Sequence, residues 1–252
     1  MTTNATARPG LVVVHGATPF GRALTLALAK HGAPIGVVGA TGDEPAVAAA
    51  IRDTGGTAVA CTSTLDTRGA YEATLADVAA EVDGVGTVVA PVLPGRTGPN
   101  VRRALADLPE DEWVTECELP MRAARFAVQA AFTTFAGEGG RVVLVAPTAA
   151  LTGEPGLAAY STAAEASRAM VRAVARGWGA HGITLHWVGA PTALFTGEDP
   201  SSAPRMAMWD HALGGPATID DVAAVVWSLA TPTTAALTGT TTIVDGGLVM
   251  PV

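Results

Sequence analysis

The chain has 252 residues, of which 49% are hydrophobic and 15% are charged, and it carries a formal net charge of -8. This balance argues against nucleic acid as a partner, because phosphate binding requires a clustered basic surface. Two cysteines, Cys61 and Cys117, with no CxxC or Cys/His cluster, argue against a metal site and favour a reduced, cytoplasmic setting.

Short apolar runs alternate with alanine-rich helical stretches along the chain. Strands are predicted at Leu11–Val14, Ile35–Val38, Ala58–Cys61, Thr87–Pro91, Arg141–Ala146, Ile183–Val188 and Thr240–Val244. Helices are predicted at Arg22–His31, Pro45–Thr54, Gly69–Glu81, Glu110–Ala136, Leu157–Ala180 and Thr218–Ala230. This order predicts an α/β fold: one Rossmann-like, doubly wound parallel sheet of about seven strands with helices on both faces.

No linker, charge block or repeat divides the chain, so we expect a single domain over residues 1–252. Residues 1–10 lack the apolar core of a signal peptide, and we expect them to be flexible. No run approaches the ~18 apolar residues of a membrane span. Arg102 and Arg103, the one adjacent basic pair, are interpreted as a solvated helix face.

Several segments share the pattern of one enzyme family. The strand Gly-Arg-Val-Val-Leu-Val from Gly140 leads to Pro-Gly-Leu-Ala-Ala-Tyr160-Ser, and Leu237-Thr-Gly is followed by Val-Asp-Gly-Gly247. Leu213-Gly-Gly-Pro precedes a helix that begins near Asp220. With these motifs the chain resembles the short-chain dehydrogenase/reductase superfamily over nearly its whole length. The resemblance implies NAD(P)-dependent chemistry with a catalytic tyrosine at Tyr160.

The same resemblance places other residue types at the partner positions of the tyrosine. The lysine position is Ala164, the serine position is Pro147 and the asparagine position aligns with Pro120. An unaided phenol has a pKa of about 10 and is a poor proton relay near pH 7. Thr148 is a candidate substitute for the serine. Tyr160 is either a working catalyst or a packed aromatic whose hydroxyl has a backbone partner.

The turn after the first strand differs from the family pattern Thr-Gly-x-x-x-Gly-x-Gly. Phe20 stands where the central glycine would be, and Pro19 offers no N–H to a phosphate. The second strand ends without an acidic residue for a ribose, although Asp43 and Glu44 follow soon after, and the adenine-side aspartate appears as Thr62. We therefore expect no cofactor. The alternative is NAD(P) bound through the residues of this turn: Gly16, Thr18, Phe20, Gly21 and Arg22.

Residues 190–215 correspond to the variable substrate lid of the family. The lid contains Met206, Met208, Trp209 and His211, which suit a small apolar ligand or a partner subunit. His15, at the end of the first strand, is a further catalytic candidate.

The two long predicted helices resemble those that pair subunits in the family, with Ala124 and Phe132 on exposed faces. We expect a dimer or tetramer, formed with itself or with an active relative.

Three functions are compatible with these observations. The first is a catalytically degenerate subunit, a pseudoenzyme, that assembles with itself or with an active relative. The second is a repurposed enzyme that uses Tyr160 for non-redox acid–base chemistry. The third is a divergent NAD(P)-dependent ketoreductase. We expect the first, because it accounts for the losses at the cofactor turn, the serine and the lysine together.

Overall fold

The computed structural model describes residues 10–98, 101–135, 137–198 and 210–250. Within these residues, seven strands form one parallel sheet in the order β3-β2-β1-β4-β5-β6-β7. The strands are β1 Gly10–Val14, β2 Ile35–Gly39, β3 Ala58–Thr62, β4 Val85–Pro91, β5 Gly140–Pro147, β6 Ile183–Ala190 and β7 Thr240–Ile243. The predicted doubly wound parallel sheet is confirmed.

The central strands are buried along their whole length, as their uninterrupted valine-rich sequences require. Strands β2 and β4 lie on opposite sides of β1, so the chain reverses direction across the sheet at that point. In open parallel sheets a crevice forms there, at the carboxyl ends of the strands. The candidate site therefore lies above β1, β4, β5 and β6.

Helices cover both faces of this sheet. They are α1 Pro19–Ala29, α2 Glu44–Asp53, α3 Arg68–Glu81, α4 Glu110–Trp113, α5 Leu119–Phe135, α6 Ala149–Thr152, α7 Ala158–Trp178, α8 Thr192–Thr196 and α9 Ile219–Ala230. Helix α1 packs against α2 and α9 on one side of the sheet, and α5 packs against α3 and α7 on the other. Ala124 of α5, assigned above to an exposed face, is instead buried inside the chain. None of the helices among the described residues combines the length and the hydropathy of a membrane-spanning segment.

The predicted continuous helix over residues 110–136 is wrong in detail. A π-helical turn, Val114–Glu118, separates α4 from α5. Pro120 explains the interruption, because it has no N–H to bond the carbonyl of Glu116 one turn earlier. Two short helices, α6 and α8, lie where the sequence predicts no regular structure.

Candidate functional site

Tyr160 lies in the first turn of α7 and is only 1% exposed. Its hydroxyl donates a hydrogen bond of 2.6 Å to the backbone carbonyl of Val92, just beyond β4. Burial raises the pKa of Tyr160 well above its usual value of 10, and the negative charge of Glu116 raises it further. The phenol is therefore held protonated, with its proton directed at the main chain.

The positions that would assist a catalytic tyrosine hold packed, apolar groups. Pro147 ends β5 in register with Ala190 of β6, and Pro120 is buried at the start of α5. Ala164 is fully buried in α7. A hydroxyl does lie next to Pro147, on the buried Thr148, whose backbone N–H donates to the carbonyl of Ala190 at 2.9 Å.

Hydrogen bonds of two buried side chains link α7 to β6 next to Ala164. The hydroxyl of Ser167 donates to the carbonyl of Ala164 at 2.6 Å, and the indole N–H of Trp187 donates to Ser167 Oγ at 3.1 Å. Both side chains are buried. Ala164 itself offers no cation where the resemblance implies a lysine.

Polar groups of the turn between β1 and α1 form hydrogen bonds with one another. The hydroxyl of Thr18 donates to the carbonyl of His15 at 2.8 Å and accepts the N–H of Gly21 at 3.3 Å, which caps α1. Pro19 has no N–H, so the helix start offers few free donors to an anion. A Cβ at Gly21 would collide with the carbonyl of His15, and one at Gly16 would lie 2.9 Å from the carbonyl of Val13. Both glycines are thus required by the packing of the turn itself.

Phe20 fills the space beside the start of α1. Its side chain is 3% exposed and its ring stacks on Phe195 of α8, with centroids 4.0 Å apart and planes 17° apart. In nucleotide-binding sheets this position, at the amino end of the first helix, receives the pyrophosphate. Phe195 was not identified from the sequence, where no local signal connects it to Phe20. Arg22, two residues further along α1, is exposed.

At the carboxyl end of β2, the carboxylate of Glu44 is completely buried. It accepts hydrogen bonds from the N–H and hydroxyl of Thr41, from the N–H of Gly42 and from the hydroxyl of Thr62, at 2.8 to 3.0 Å. Burial opposes ionisation, but the hydrogen bonds outweigh it and lower the pKa of Glu44. A Cβ at Gly39 would collide with this carboxylate. Dinucleotide-binding folds use an acidic group here to hold a ribose, whereas Glu44 is saturated by the chain itself.

Arg102 connects three loops above the sheet. Its guanidinium bonds to Glu198 and Glu154, each at 2.8 Å, and to the carbonyl of Pro155 at 2.9 Å. The side chain is largely buried, so its interpretation as part of a solvated helix face is wrong: it lies in a loop whose position only the tertiary structure sets. The N–H of Gly98 adds a bond to the carbonyl of Thr196 at 2.6 Å. These contacts join the segments that follow β4, β5 and β6.

A second ionic cluster lies beside Tyr160. The buried Glu116 accepts bonds from Arg96 Nε at 3.0 Å and from the N–H of Gly95 at 3.3 Å, and burial raises its pKa. The carboxylate of Glu112 forms ion pairs with Arg96 at 2.8 Å and with Arg103 at 3.2 Å. A cavity of ≈ 10 Å³ between these groups and Tyr160 is about large enough for one water molecule.

The side chain of His15 contacts α3. His15 has a left-handed backbone, with φ at 55°, and its Nε2 lies 3.1 Å from the hydroxyl of Tyr71 in α3. Burial lowers the pKa of His15 to about 4, against the opposing effect of Glu44, so the imidazole is neutral. His211 is half-buried, while Met206, Met208 and Trp209 lie outside the described residues. No cluster of His, Cys, Asp or Glu suited to a metal occurs among residues that the structure describes.

Comparison with known proteins places this architecture in a family. Residues 16–249 match the family described as enoyl-(acyl carrier protein) reductase. The chain is 30% identical over 258 residues to the short-chain reductase protein NovJ of Streptomyces niveus, covering 96% of this chain and 95% of that one. The chain belongs to the short-chain dehydrogenase/reductase superfamily. The match begins at Gly16, in the turn after β1, and extends beyond the last strand.

Solved structures of other members of the superfamily share the fold. A 3-ketoacyl-(acyl-carrier-protein) reductase from Brucella melitensis, solved with NADH, has a TM-score of 0.79 at 19% identity, covering 94% of this chain and 97% of that one. A 3-ketoacyl-ACP reductase from Sinorhizobium meliloti 1021 has a TM-score of 0.77 at 23% identity, covering 95% and 98%. At these identities the likeness establishes the fold alone.

Proposed function

We propose that this protein is a non-catalytic subunit that keeps the short-chain dehydrogenase/reductase fold for assembly and does not carry out ordinary NAD(P)-dependent dehydrogenation. The observation that carries the proposal is the stacked pair Phe20 and Phe195, which fills the space beside the amino end of α1. A pyrophosphate placed there would have to displace two buried rings.

Two other parts of the crevice support the same conclusion. Glu44 already accepts four hydrogen bonds from the protein, so a ribose hydroxyl would have to break one of them to bind it. Tyr160 donates its proton to the carbonyl of Val92 and lacks both a serine and a lysine partner. Removing members of a cooperating catalytic set costs orders of magnitude in rate, and here two are absent together.

Calorimetric titration with NAD⁺, NADH, NADP⁺ and NADPH tests this proposal. We expect no saturable heat with any of the four up to millimolar concentration. A dissociation constant in the micromolar range for any of them would overturn it. Far-ultraviolet circular dichroism and a cooperative thermal transition confirm that the sample tested is folded.

A divergent NAD(P)-dependent reductase is the second candidate, and the family match is the observation that favours it. The matched family is described as a reductase, and the relative from Streptomyces niveus is named a short-chain reductase. This function predicts cofactor oxidation with a panel of 3-ketoacyl thioesters and cyclic diketones. The activity must fall sharply in Tyr160→Phe, which separates turnover at this site from contaminating enzyme.

A further inference from the structure

A group of polar side chains lies at the amino ends of β5 and β6, at the opposite end of the sheet from the crevice. Arg141 and Thr184 are the second residues of these strands and are paired in register. His186 follows on the same face of β6, because alternate residues of a strand share a face. Pro147, which borders the crevice, lies about 20 Å further along β5. We call Arg141, Thr184 and His186 the amino-end cluster.

The end of α9 and the loop that follows it cover this face of the sheet. Thr87 of β4, which is paired in register with Arg141, donates its hydroxyl to the carbonyl of Ala230, the last residue of α9, at 3.4 Å. The hydroxyl of Thr238, in the loop before β7, accepts a backbone N–H of β6 at 3.2 Å. Residues 229–243 contain no charged side chain. This cover therefore supplies hydroxyls and carbonyls and no carboxylate.

Two polar atoms of the amino-end cluster are buried without a hydrogen-bond partner among the described residues. They are the Nε2 of His186 and the hydroxyl of Thr184. His186 is completely buried, and its Nδ1 lies 2.9 Å from the hydroxyl of Thr240 on β7. An unpaired polar atom in the interior is costly, and most such atoms in folded proteins have a partner. Two of them on one face of one strand indicate a ligand that bonds both.

Arg141 carries a positive charge that no ion pair within the described residues balances. Its side chain is half-buried, and burial lowers its pKa. Burial, together with the charge of Arg141, lowers the pKa of His186 to about 4, so the imidazole is neutral and lies within electrostatic reach of the guanidinium. By contrast, the partly buried Arg96 and Arg102 are each paired with two carboxylates.

The three groups of the amino-end cluster match the chemistry of an oxyanion. A guanidinium offers forked N–H donors that fit the oxygens of a phosphate or a carboxylate. The hydroxyl of Thr184 is a donor, and Nε2 of His186 carries a proton whenever Nδ1 accepts one from Thr240. A water molecule would pair the two buried atoms but would leave the charge of Arg141 unbalanced, and a cation would be repelled by that charge.

We propose that the amino-end cluster is an oxyanion-binding site, which takes inorganic phosphate or the phosphate or carboxylate group of a small ligand. The oxyanion enters past the partly exposed side chains of Arg141 and Thr184 and reaches the buried His186 last. This site goes beyond the proposed function, because none of its groups lies in the crevice.

The imidazole signals of protein labelled with ¹³C,¹⁵N-histidine test the site, and those of His186 are assigned from their contacts with Thr240. Sodium phosphate is titrated at pH 7 against sodium chloride of equal ionic strength. We expect a saturable shift of the His186 signals with phosphate alone. The pH midpoint of their titration should rise by about one unit or more in phosphate, because a bound anion favours the imidazolium. Shifts that do not saturate, or that chloride reproduces, would overturn the proposal.

A panel of anions distinguishes the two sources of the oxyanion. Saturation with phosphate and sulfate but with neither acetate nor succinate assigns the site to a phosphate group. Saturation with acetate or succinate alone assigns it to a carboxylate group, and either result supports the proposal. If none of these anions saturates the His186 signals, ordered water alone pairs the buried atoms and the proposal fails.

Arg141→Gln removes the charge and keeps a polar side chain, and it should weaken binding of the saturating anion at least about tenfold. Arg172→Gln, at an exposed position on α7, is the matched control and should leave the affinity unchanged. Thr184→Val removes one neutral donor and should weaken binding about fivefold, which keeps the test decisive if Arg141→Gln fails to fold. The anion should also raise the Tm of the wild type and the control. Undiminished affinity in Arg141→Gln or in Thr184→Val would refute the site.

Discussion

The two ends of the crevice differ from an open dehydrogenase site in different ways. At the nucleotide end the chain adds groups: Phe20 and Phe195 stack, and the carboxylate of Glu44 is saturated by hydrogen bonds. At the catalytic end, the resemblance to the family places Pro147 and Ala164 in the partner positions of Tyr160. The stacked rings and the hydrogen-bonded carboxylate stabilise the fold directly, because they bury apolar surface and satisfy polar groups. At the catalytic end, the contact that Tyr160 makes is a hydrogen bond to the backbone of Val92.

This contrast predicts where substitutions will be most costly. Groups that fill the nucleotide end should contribute strongly to the free energy of unfolding. The hydroxyl of Tyr160 should contribute only one hydrogen bond. The following four experiments challenge that difference, from the largest expected effect to the smallest.

Phe20→Ala should lower the free energy of unfolding by about 3 kcal/mol, because it leaves a cavity beside Phe195 in a buried, stacked position. Urea denaturation at pH 7 measures this loss. Phe132→Ala, at a half-exposed position on α5, is the matched control and should cost about 1 kcal/mol or less. A smaller loss for Phe20→Ala than for the control would mean that the nucleotide end is not filled tightly.

Glu44→Gln should cost about 2–3 kcal/mol, because an amide can accept fewer of the four hydrogen bonds now made to a buried carboxylate. Its folded pKa is lowered, so the stabilisation is present above the unfolded value of about 4.3 and is lost as pH falls through the folded pKa. The difference between the wild type and Glu44→Gln in urea should therefore shrink at pH 3. Thr62→Val removes one of the four bonds and should cost about 1 kcal/mol. If the difference grew on acidification, the carboxylate would not be the stabilising form.

His15→Asn should flatten the dependence of stability on pH between pH 7 and pH 5. The folded pKa of His15 is about 4, below the unfolded value of about 6.5, so the unfolded state binds the proton first and stability falls as pH decreases. This group accounts for about 2 kcal/mol over that interval. Asparagine is chosen because it tolerates the left-handed backbone at this position. His186, whose pKa burial also lowers to about 4, should retain its own contribution in the variant.

Tyr160→Phe should lower the free energy of unfolding by about 1–2 kcal/mol, because the carbonyl of Val92 loses its buried donor. Tyr71→Phe, which removes the hydroxyl that contacts His15, is a comparable deletion elsewhere. A variant as stable as the wild type that abolishes a measured turnover would reverse the assignment of this tyrosine to structure.

Much of the fold could be predicted because burial on both faces imposes uninterrupted apolar runs. The strand predicted at Ile35–Val38, for example, differs from β2 by one residue. The continuous helix over residues 110–136 failed because the helical pattern of apolar residues continues through Pro120, while the backbone hydrogen bonds do not. Periodicity describes side-chain placement and says nothing of a missing N–H.

Within the candidate site, the sequence alone identifies positions where a motif carries a residue of different chemistry. Ala164 and Pro147 are visible by counting from Tyr160. The pairing of Phe20 with Phe195 and the clamp of Arg102 on Glu154 and Glu198 are not, since each joins segments far apart in sequence. These contacts depend on how the loops above the sheet meet, which no local pattern specifies.

Gly21 has a consequence for how such chains diverge. Its place in the turn leaves no room for any side chain, because the carbonyl of His15 occupies that volume. Any substitution of Gly21 therefore disrupts the folded turn, whether or not a dinucleotide binds. A glycine in a turn of this kind can therefore be required by folding alone, and its presence is no measure of cofactor use.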